Sequence, residues 1–257
     1  MKHSSILVAF AFSLPLIGHT DVISHYAFNG STYADSAGFA GVTANDLVRG
    51  AGAANDSNFS TFSTPVDGGS HSFFIRGSGL NVADNTTSAA TATATTQGNY
   101  VEFTLNSTGL MNLTSLTLDA AKLAGNNHSM RLLVTSDITG HLFDNRLDIT
   151  SPAAADTSLA NVIQSNQADN ISDAPNGIGV DWGVADNTTI DLSVPAFQNI
   201  SDATFRIYAF TIANGSPSSA NVMRLDNIIV NGTVVPEPAT LSLLLIGALI
   251  GRTLRRR

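Results

Sequence analysis

The chain has no cysteine among its 257 residues and only one tryptophan. Without thiols it has no disulfide, no cysteine nucleophile and no thiolate metal site, so its fold depends on the burial of apolar side chains. Lysine and glutamate are almost as scarce, because residues 21–235 contain one of each, Lys122 and Glu102. Helices favour these two residue types and turns favour the abundant aspartate and asparagine, so we predict little helix.

Basic residues are few in the middle of the chain. Of the 12 basic residues, Lys2 and four terminal arginines lie outside residues 21–235, and of the 20 acidic residues only Glu237 does. The body of the protein therefore has 7 basic and 19 acidic residues, a net charge of −12. Nucleic acids and anionic membrane surfaces require basic patches, so we expect neither to be a partner of this body.

Catalytic and metal-binding signatures are also missing. The four histidines of the body have neither the His-x-His nor the His-Glu-x-x-His spacing, and they are His25, His71, His128 and His141. No Gly-x-Ser-x-Gly elbow occurs, and one glutamate cannot supply the glutamate pair of a glycosidase, although aspartates can substitute. We predict a protein that is not an enzyme and binds no cofactor or metal.

Apolar and polar residues alternate with a period of two through much of the body. Val101, Phe103 and Leu105 alternate with polar residues, and similar patterns recur at 115–120, 130–135, 189–194, 205–210 and 223–230. Turn-forming residues separate these runs. The pattern predicts six to nine short strands in an all-β fold, an antiparallel β-sandwich of jelly-roll type, as one domain over residues 21–233.

Several local features refine this prediction. Gly125-Asn126-Asn127 favours a hairpin-like turn between the runs at 115–120 and 130–135. Residues 38–63 are predicted to be irregular, and residues 158–165 to form a short helix. The run Ile228-Ile229-Val230 predicts a strand that is buried on both faces.

The N-terminus has the pattern of a secretory signal peptide over residues 1–20. Lys2 supplies the positive charge and Ile6 to Ile17 the apolar core. Small residues near Gly18-His19-Thr20 predict a cut by signal peptidase between Thr20 and His25, with Val22-Ile23-Ser24 as a second candidate site.

The C-terminus, residues 234–257, contains three ordered elements. Pro236, Glu237 and Pro238 form a stiff extended strip, because each proline fixes its own φ and restrains the preceding residue. Residues 239–251 follow without charge and predict an apolar helix of roughly 20 Å, against about 30 Å of bilayer hydrocarbon. Positive charge next to an apolar segment stays on the cytoplasmic side, and it is supplied by Arg252, Arg255, Arg256 and Arg257.

This arrangement resembles the PEP-CTERM sorting signal of Gram-negative bacteria. The resemblance covers Val235-Pro236-Glu237-Pro238-Ala239-Thr240, the apolar run and the arginines. It implies that an exosortase-type peptidase of the inner membrane recognises the motif and removes the tail. The stretches Phe205-Arg206-Ile207-Tyr208 and Arg224-Leu225-Asp226-Asn227-Ile228 also resemble strands of the sandwich bodies that precede such signals.

Three features are candidates for ligand binding in the body. Trp182 lies between glycines and next to Asp181, a composition that suits the stacking of a sugar ring but is also typical of ordinary packing. Asp-Asn pairs begin at Asp84, Asp144, Asp169, Asp186 and Asp226, where turns are the expected role and Asp226-Asn227 is the best of the weak metal candidates. Thr91, Thr93 and Thr95 lie along one face, but without a repeated array they are weak evidence for ice binding.

Together these patterns predict an exported envelope or matrix protein. It is expected to stay tethered to the inner membrane through its C-terminal helix until processing, and then to reach the cell surface or extracellular matrix. A non-catalytic association with extracellular polysaccharide is the leading hypothesis for the body. An aspartate-based glycan-active enzyme is the alternative, and an ice-binding protein is a remote one.

Overall fold

A computed structural model of the protein describes residues 21–28, 34, 37–51, 60–62, 72–76, 81–82, 98–122, 130–150, 163–164, 188–212 and 222–235. Within these residues the regular structure is almost entirely β. The strands are β1 (Asp21–Tyr26), β2 (Val42–Ala44), β3 (Val48–Arg49), β4 (Ser60–Phe62), β5 (Ser72–Arg76), β6 (Asn81–Val82), β7 (Tyr100–Lys122), β8 (Met130–Ser136), β9 (Ile163–Gln164), β10 (Thr188–Asp191), β11 (Gln198–Ile212) and β12 (Val222–Val235).

The 23-residue strand β7 organises the sheet. One edge of β7 pairs with β11 and then β10, and the other edge pairs with β2, β3 and then β12. The twelve strands form one sheet with the main order β4-β5-β12-β7-β11-β8-β9, and β1 lies on the other edge of β12. All recorded pairs are antiparallel except β6 with β11. The prediction of an all-β, antiparallel fold is therefore confirmed.

The buried side chains of β7 change phase along the strand. Val101, Phe103 and Leu105 are buried at odd positions, whereas Leu116 and Leu118 are buried at even ones. The change occurs where Leu113 and Ser115 pair with consecutive residues of β12, so that Thr114 is an extra residue in β7. Such a β-bulge restores the inward direction of the side chains while it bends the strand. Two apolar runs in the sequence are therefore one strand.

The sheet folds back over its own apolar face. The ring centroids of Tyr26 in β1 and Phe103 in β7 are 5.2 Å apart, although β1 pairs with β12 alongside the distant half of β7. Phe103 also stacks on Phe205, which in turn stacks on Phe197. These rings are fully buried, so one apolar core lies between opposed parts of the same sheet.

Gly232 marks the closest approach of the strands in this core. A Cβ at this position would lie 2.8 Å from Ile23 Cδ1 and 2.5 Å from the Asn112 carbonyl oxygen. Glycine is therefore required for β12 to lie between β1 and β7 at this point.

Several local predictions are wrong. The runs at 115–120 and 130–135 are not a hairpin, because β8 pairs with β11 and β9. Ile163–Gln164 is strand, where a helix was expected, and the segment 38–63 contains β2, β3 and β4. Ile229 is only half-buried between fully buried Ile228 and Val230, as alternation in a one-sided sheet requires. The strand predicted at 189–194 is shorter than expected, because β10 ends at Asp191. Pro195 begins a 3₁₀ helix, Pro195–Phe197.

No helix among the described residues has the length and apolar character needed to cross a membrane. The predicted signal peptide and the predicted C-terminal apolar helix lie outside the described residues. The same is true of Gly125-Asn126-Asn127 and of the threonine run at 91–95.

Candidate functional site

The last described residue, Val235, lies immediately before the Pro236-Glu237-Pro238 strip of the predicted sorting motif. It ends β12 and still pairs with Leu110 of β7, and Thr233 and Val234 pair with Asn112 and Met111. Residues predicted for sorting and membrane flanking lie beyond the described range, namely Pro236, Glu237, Pro238, Arg252, Arg255, Arg256 and Arg257. The paired sheet therefore continues up to the residue that precedes the Pro-Glu-Pro strip, with no intervening spacer.

Trp182, His71 and His128 also lie in parts of the chain that the structure does not describe. The other two histidines are engaged by neighbours. His25 Nε2 is 3.4 Å from Asn227 Oδ1, and His141 Nδ1 is 2.9 Å from the hydroxyl of Thr135. Within the described ranges, no three acidic or histidine side chains come together as a metal-binding group.

Asp226, the metal candidate from the sequence, lies in a strand and not in a turn. It pairs with Asp119 of β7, and both carboxylates are buried, with exposed fractions of 0% and 3%. A bulge follows, where Asn227 has a φ of +44°. The Asn227 N–H donates to Asp226 Oδ1 over 2.9 Å, and its side-chain amide donates to Asp119 Oδ2, also over 2.9 Å. This arrangement stabilises the bulge.

An open cleft of about 260 Å³ lies where the loop after β8 meets β10. Its floor is apolar and includes Phe197 and Leu147, which are buried. Its rim carries polar and charged groups, and the lining residues are Thr139, Asn145, Arg146, Leu147, Asp148, Asp191, Val194 and Phe197. Asp148 and Asp191 are neighbours, because the Asp191 N–H donates to the Asp148 carbonyl oxygen over 3.0 Å.

Short-range hydrogen bonds fix the polar groups of the cleft. Asn145 Nδ2 donates to the Thr139 carbonyl over 2.6 Å, and Arg146 Nη1 donates to the Phe143 carbonyl over 3.2 Å. The Arg146 guanidinium also lies 4.8 Å from the centroid of the Phe143 ring. A surface of this kind offers donors and acceptors in set positions above an apolar floor.

Asp191 stays ionised over the normal pH range. The Ser193 hydroxyl donates to Asp191 Oδ1 over 2.6 Å, and the Ser193 N–H donates to the same oxygen over 2.8 Å. These hydrogen bonds stabilise the carboxylate, so the pKa of Asp191 is lowered from its usual value. Asp191 is therefore an acceptor and not a proton donor at neutral pH.

A second polar cluster crosses β7 and β11 on the face opposite the core, and a side-chain hydrogen bond between Tyr208 and Thr135 joins it to β8. Arg206 Nε donates to Glu102 Oε2 over 2.6 Å, and the guanidinium lies 4.4 Å from the Tyr100 ring centroid. Burial lowers the pKa of Arg206, but hydrogen bonds to Glu102 and Tyr208 raise it overall. The Tyr100 and Tyr208 rings meet edge to face at 5.2 Å. Each group already has a partner inside the cluster, which suits a role in holding three strands together.

No motif in the sequence marks Arg146, Asp148 or Asp191 as a site residue. These residues are brought together by an isolated bridge between Ile149 and Ile190, two residues that are far apart in the chain. The only local signal is Asp191-Leu192-Ser193, because aspartate two residues before serine is typical of a turn in which the carboxylate caps the backbone.

Residues 234–257 match the family model described as a PEP-CTERM protein-sorting motif. The predicted resemblance is thereby confirmed for this segment. The motif indicates an exported protein that exosortase, a membrane protease, sorts to the cell envelope or surface.

No curated protein matches the chain. Among solved structures, the chain is similar to the K3 cleaved adhesin domain of Lys-gingipain from Porphyromonas gingivalis W83, with 14% identity and a TM-score of 0.32. That match covers 83% of this chain and all of the adhesin domain.

Proposed function

We propose that the protein is a non-catalytic component of the envelope or extracellular matrix that associates with polysaccharide through the cleft at Asp148 and Asp191. The observation that carries the proposal is the sorting motif at residues 234–257, because it directs the body to the cell envelope or surface. The acidic body would be repelled by anionic membranes, so we expect its partner to be neutral or cationic at the point of contact.

The geometry of the cleft supports a sugar ligand. Sugars present hydroxyl groups at their edges and C–H groups on their faces. Carboxylates accept hydrogen bonds from hydroxyls, and the Asn145 amide and the Arg146 guanidinium donate them. The side chain of Val194, 39% exposed, is the apolar part of the lining that is available to C–H groups. An open cleft suits weak, repeated association with the units of a longer chain.

A binding experiment tests this function. We expect Asp148→Asn to reduce retention of the mature protein on its own envelope polysaccharide by about five-fold, because the substitution removes a charged acceptor. Asp202→Asn is a matched control, since Asp202 is an exposed aspartate outside the cleft. Equal retention of both variants and wild type would contradict the role of the cleft. Trp182→Ala independently tests the predicted stacking of a sugar ring on Trp182, with loss of retention expected at an unchanged melting temperature.

We further propose that the C-terminal tail is a processing signal and only a transient tether. A 13-residue apolar run holds a bilayer marginally, and the stiff Pro236-Glu237-Pro238 strip lies just outside it. Intact-mass measurement from a host with the peptidase should find the arginines missing. Alanines at positions 236–238 should leave the tail attached. Recovery of wild-type protein that retains Arg257 in this host would contradict the sorting proposal.

The same measurement locates the N-terminal cut. Ile23 and Ser24 are fully buried in β1, so a cut after Ser24 would remove a core side chain and most of the six-residue strand. We therefore expect the mature chain to begin at or before Val22. A mature N-terminus at His25 would contradict this.

An aspartate-based glycan-active enzyme is the second candidate, and the two carboxylates in one cleft favour it. Such an enzyme needs one carboxyl group that is protonated at its working pH. The lowered pKa of Asp191 suits only the base or nucleophile. Release of reducing ends from polysaccharide by wild type, and its loss in Asp191→Asn, would establish this alternative and replace the binding proposal.

A further inference from the structure

Both ends of the described body lie at the same edge of the fold. Strands β1 and β12 are antiparallel neighbours, and Asp21, the first residue of β1, pairs with Gly232, three residues before the end of β12. The predicted signal peptide ends just before Asp21, and the Pro236-Glu237-Pro238 strip of the sorting motif begins just after Val235. Both segments that are predicted to enter the membrane therefore leave the sheet from one end.

Exposed apolar side chains are concentrated at this end. The described residues include six large apolar side chains that are exposed, and three of them are here: Val22, Leu110 and Val235, at 43%, 41% and 37%. Val22 pairs with Asn231 and Leu110 pairs with Val235. Since paired residues, and residues two or four apart in a strand, point to the same side of a sheet, all three lie on one face. We call these three residues the exit patch.

No spacer separates the exit patch from the Pro-Glu-Pro strip, so an enzyme that binds the strip also comes close to the patch. Consecutive residues of an extended chain add at most about 3.3–3.6 Å each, so two residues beyond Val235 can span at most roughly 7 Å. An enzyme whose active site holds residues 236–238 must therefore contact the end of β12 and its partner Leu110. A long linker would have removed this requirement.

We propose that the exit patch is a docking surface for the membrane-embedded sorting peptidase, an inference that rests on the proposed sorting function. The peptidase binds the motif as an extended strip and, at the same time, covers Leu110 and its neighbours on the outer face of the sheet. The surface it presents there is apolar, because the exit patch is apolar. The folded body thus contributes to substrate recognition, in addition to the linear motif.

Leu110 is the position to test, because it lies in β7 and is remote in sequence from both cleavage sites. In the full-length chain, expressed in a host with the peptidase, we expect Leu110→Ser to slow conversion of precursor to processed protein by about five-fold in a pulse-chase experiment. Val48→Ser is the matched control, since Val48 is 44% exposed on β3, outside the exit patch, and this variant should be processed at the wild-type rate. Melting temperatures of the purified variants check that both fold.

A spacer variant sharpens the test. Ten glycine and serine residues between Val235 and Pro236 separate the motif from the body by a flexible chain. With this spacer, Leu110→Ser and the parent should be processed at equal rates, because docking of the body is no longer enforced. An effect of Leu110→Ser that persists with the spacer would overturn the docking geometry.

The remaining outcomes are distinguishable. Processing of Leu110→Ser at the wild-type rate would overturn the proposal and leave the sorting function intact. If this variant instead releases processed protein from membranes without slowing processing, the exit patch binds lipid and the proposal is wrong. A wild-type chain that keeps its tail would overturn the sorting function itself, and this inference with it.

Discussion

Two pairs of aspartates differ in what surrounds them. Asp119 and Asp226 face each other on neighbouring strands and are almost completely buried, whereas Asp148 is exposed and Asp191 half-exposed at the rim of an open cleft. The buried pair accepts hydrogen bonds from Asn227, which lies in the bulge of β12. Asp191 accepts two from Ser193, but its cleft is open to solvent.

The difference separates structural from ligand-binding roles. A buried carboxylate must have its hydrogen bonds satisfied within the protein, so it has no capacity left for a soluble partner. An exposed carboxylate loses little by exchanging water for a sugar hydroxyl. Burial, and not residue type, therefore assigns the first pair to the fold and leaves the second pair accessible for the proposed recognition of a sugar.

Removing a buried carboxylate should have the largest effect. We expect Asp226→Ala to lower the free energy of unfolding by about 2–3 kcal/mol, because the Asn227 N–H loses its acceptor in a buried site. Asp148→Ala should change it by less than about 0.5 kcal/mol. Urea unfolding of the mature protein measures both. If Asp226→Ala were stabilising, repulsion between the two buried carboxylates would dominate over the hydrogen bonds.

The bulge itself can be probed at Asn227. Asn227→Ala removes the hydrogen bond to Asp119, and it places alanine, which lacks the polar side chain that lets asparagine tolerate this conformation, at a φ of +44°. We therefore expect the free energy of unfolding to fall by about 2 kcal/mol. Asn227→Gly loses the same bond but tolerates this φ, so its loss should be smaller by about 1 kcal/mol. Equal losses in thermal unfolding would mean that backbone strain contributes nothing at this bulge.

His141 is an intermediate case, because its ring is only partly buried. Burial, and then the positive charge of Arg206, lower the pKa of His141 below 6.5 in the folded state. The unfolded chain therefore binds a proton more readily, and stability should fall as pH decreases through about 6.5. We expect only a small change, since solvent screens the ring. Melting temperatures of wild type and His141→Gln between pH 8 and 5 should diverge accordingly; parallel curves would contradict the assignment.

The smallest effect concerns the exposed pair. Ser193→Ala removes one of the two hydrogen bonds to Asp191, so the pKa of Asp191 should rise toward its ordinary value. The fold should be unaffected at neutral pH, because the site is open. A carboxyl titration followed by NMR measures the change, with Ser201→Ala beside Asp202 as a matched control. No change in the Asp191 titration would show that the backbone N–H alone sets its pKa.

The class of fold was predictable because alternation with a period of two is a local property. Val101, Phe103 and Leu105 are buried as their spacing indicated. The connection of strands was not predictable, because one extra residue, Thr114, shifts the phase of burial and joins two apparent strands into β7. Nor does the sequence show that β8 pairs with β11 across the sheet, since that partner is far away in the chain.

The cleft was less predictable than the sorting motif for a related reason. The motif is contiguous, so its three elements can be read in order. Asp148 and Asp191 are joined only by a long-range bridge, and neither has an unusual neighbour in sequence. Asp226 drew attention because asparagine follows it, but the same dipeptide serves in a buried bulge here and in a 3₁₀ helix at Asp144.

The pairing of β1 with β12 constrains when the protein can fold. His25 and Asn227, which meet across this pair, are 202 residues apart in sequence. During export the first strand must wait for nearly the whole chain before its edge is covered, and β7 likewise waits for β11 and β12. Bringing together strands that are so far apart in sequence costs conformational entropy before any contact compensates for that cost. Folding is therefore slow. A tail that holds the chain at the membrane during this interval would keep incomplete sheets apart from one another until β12 is in place.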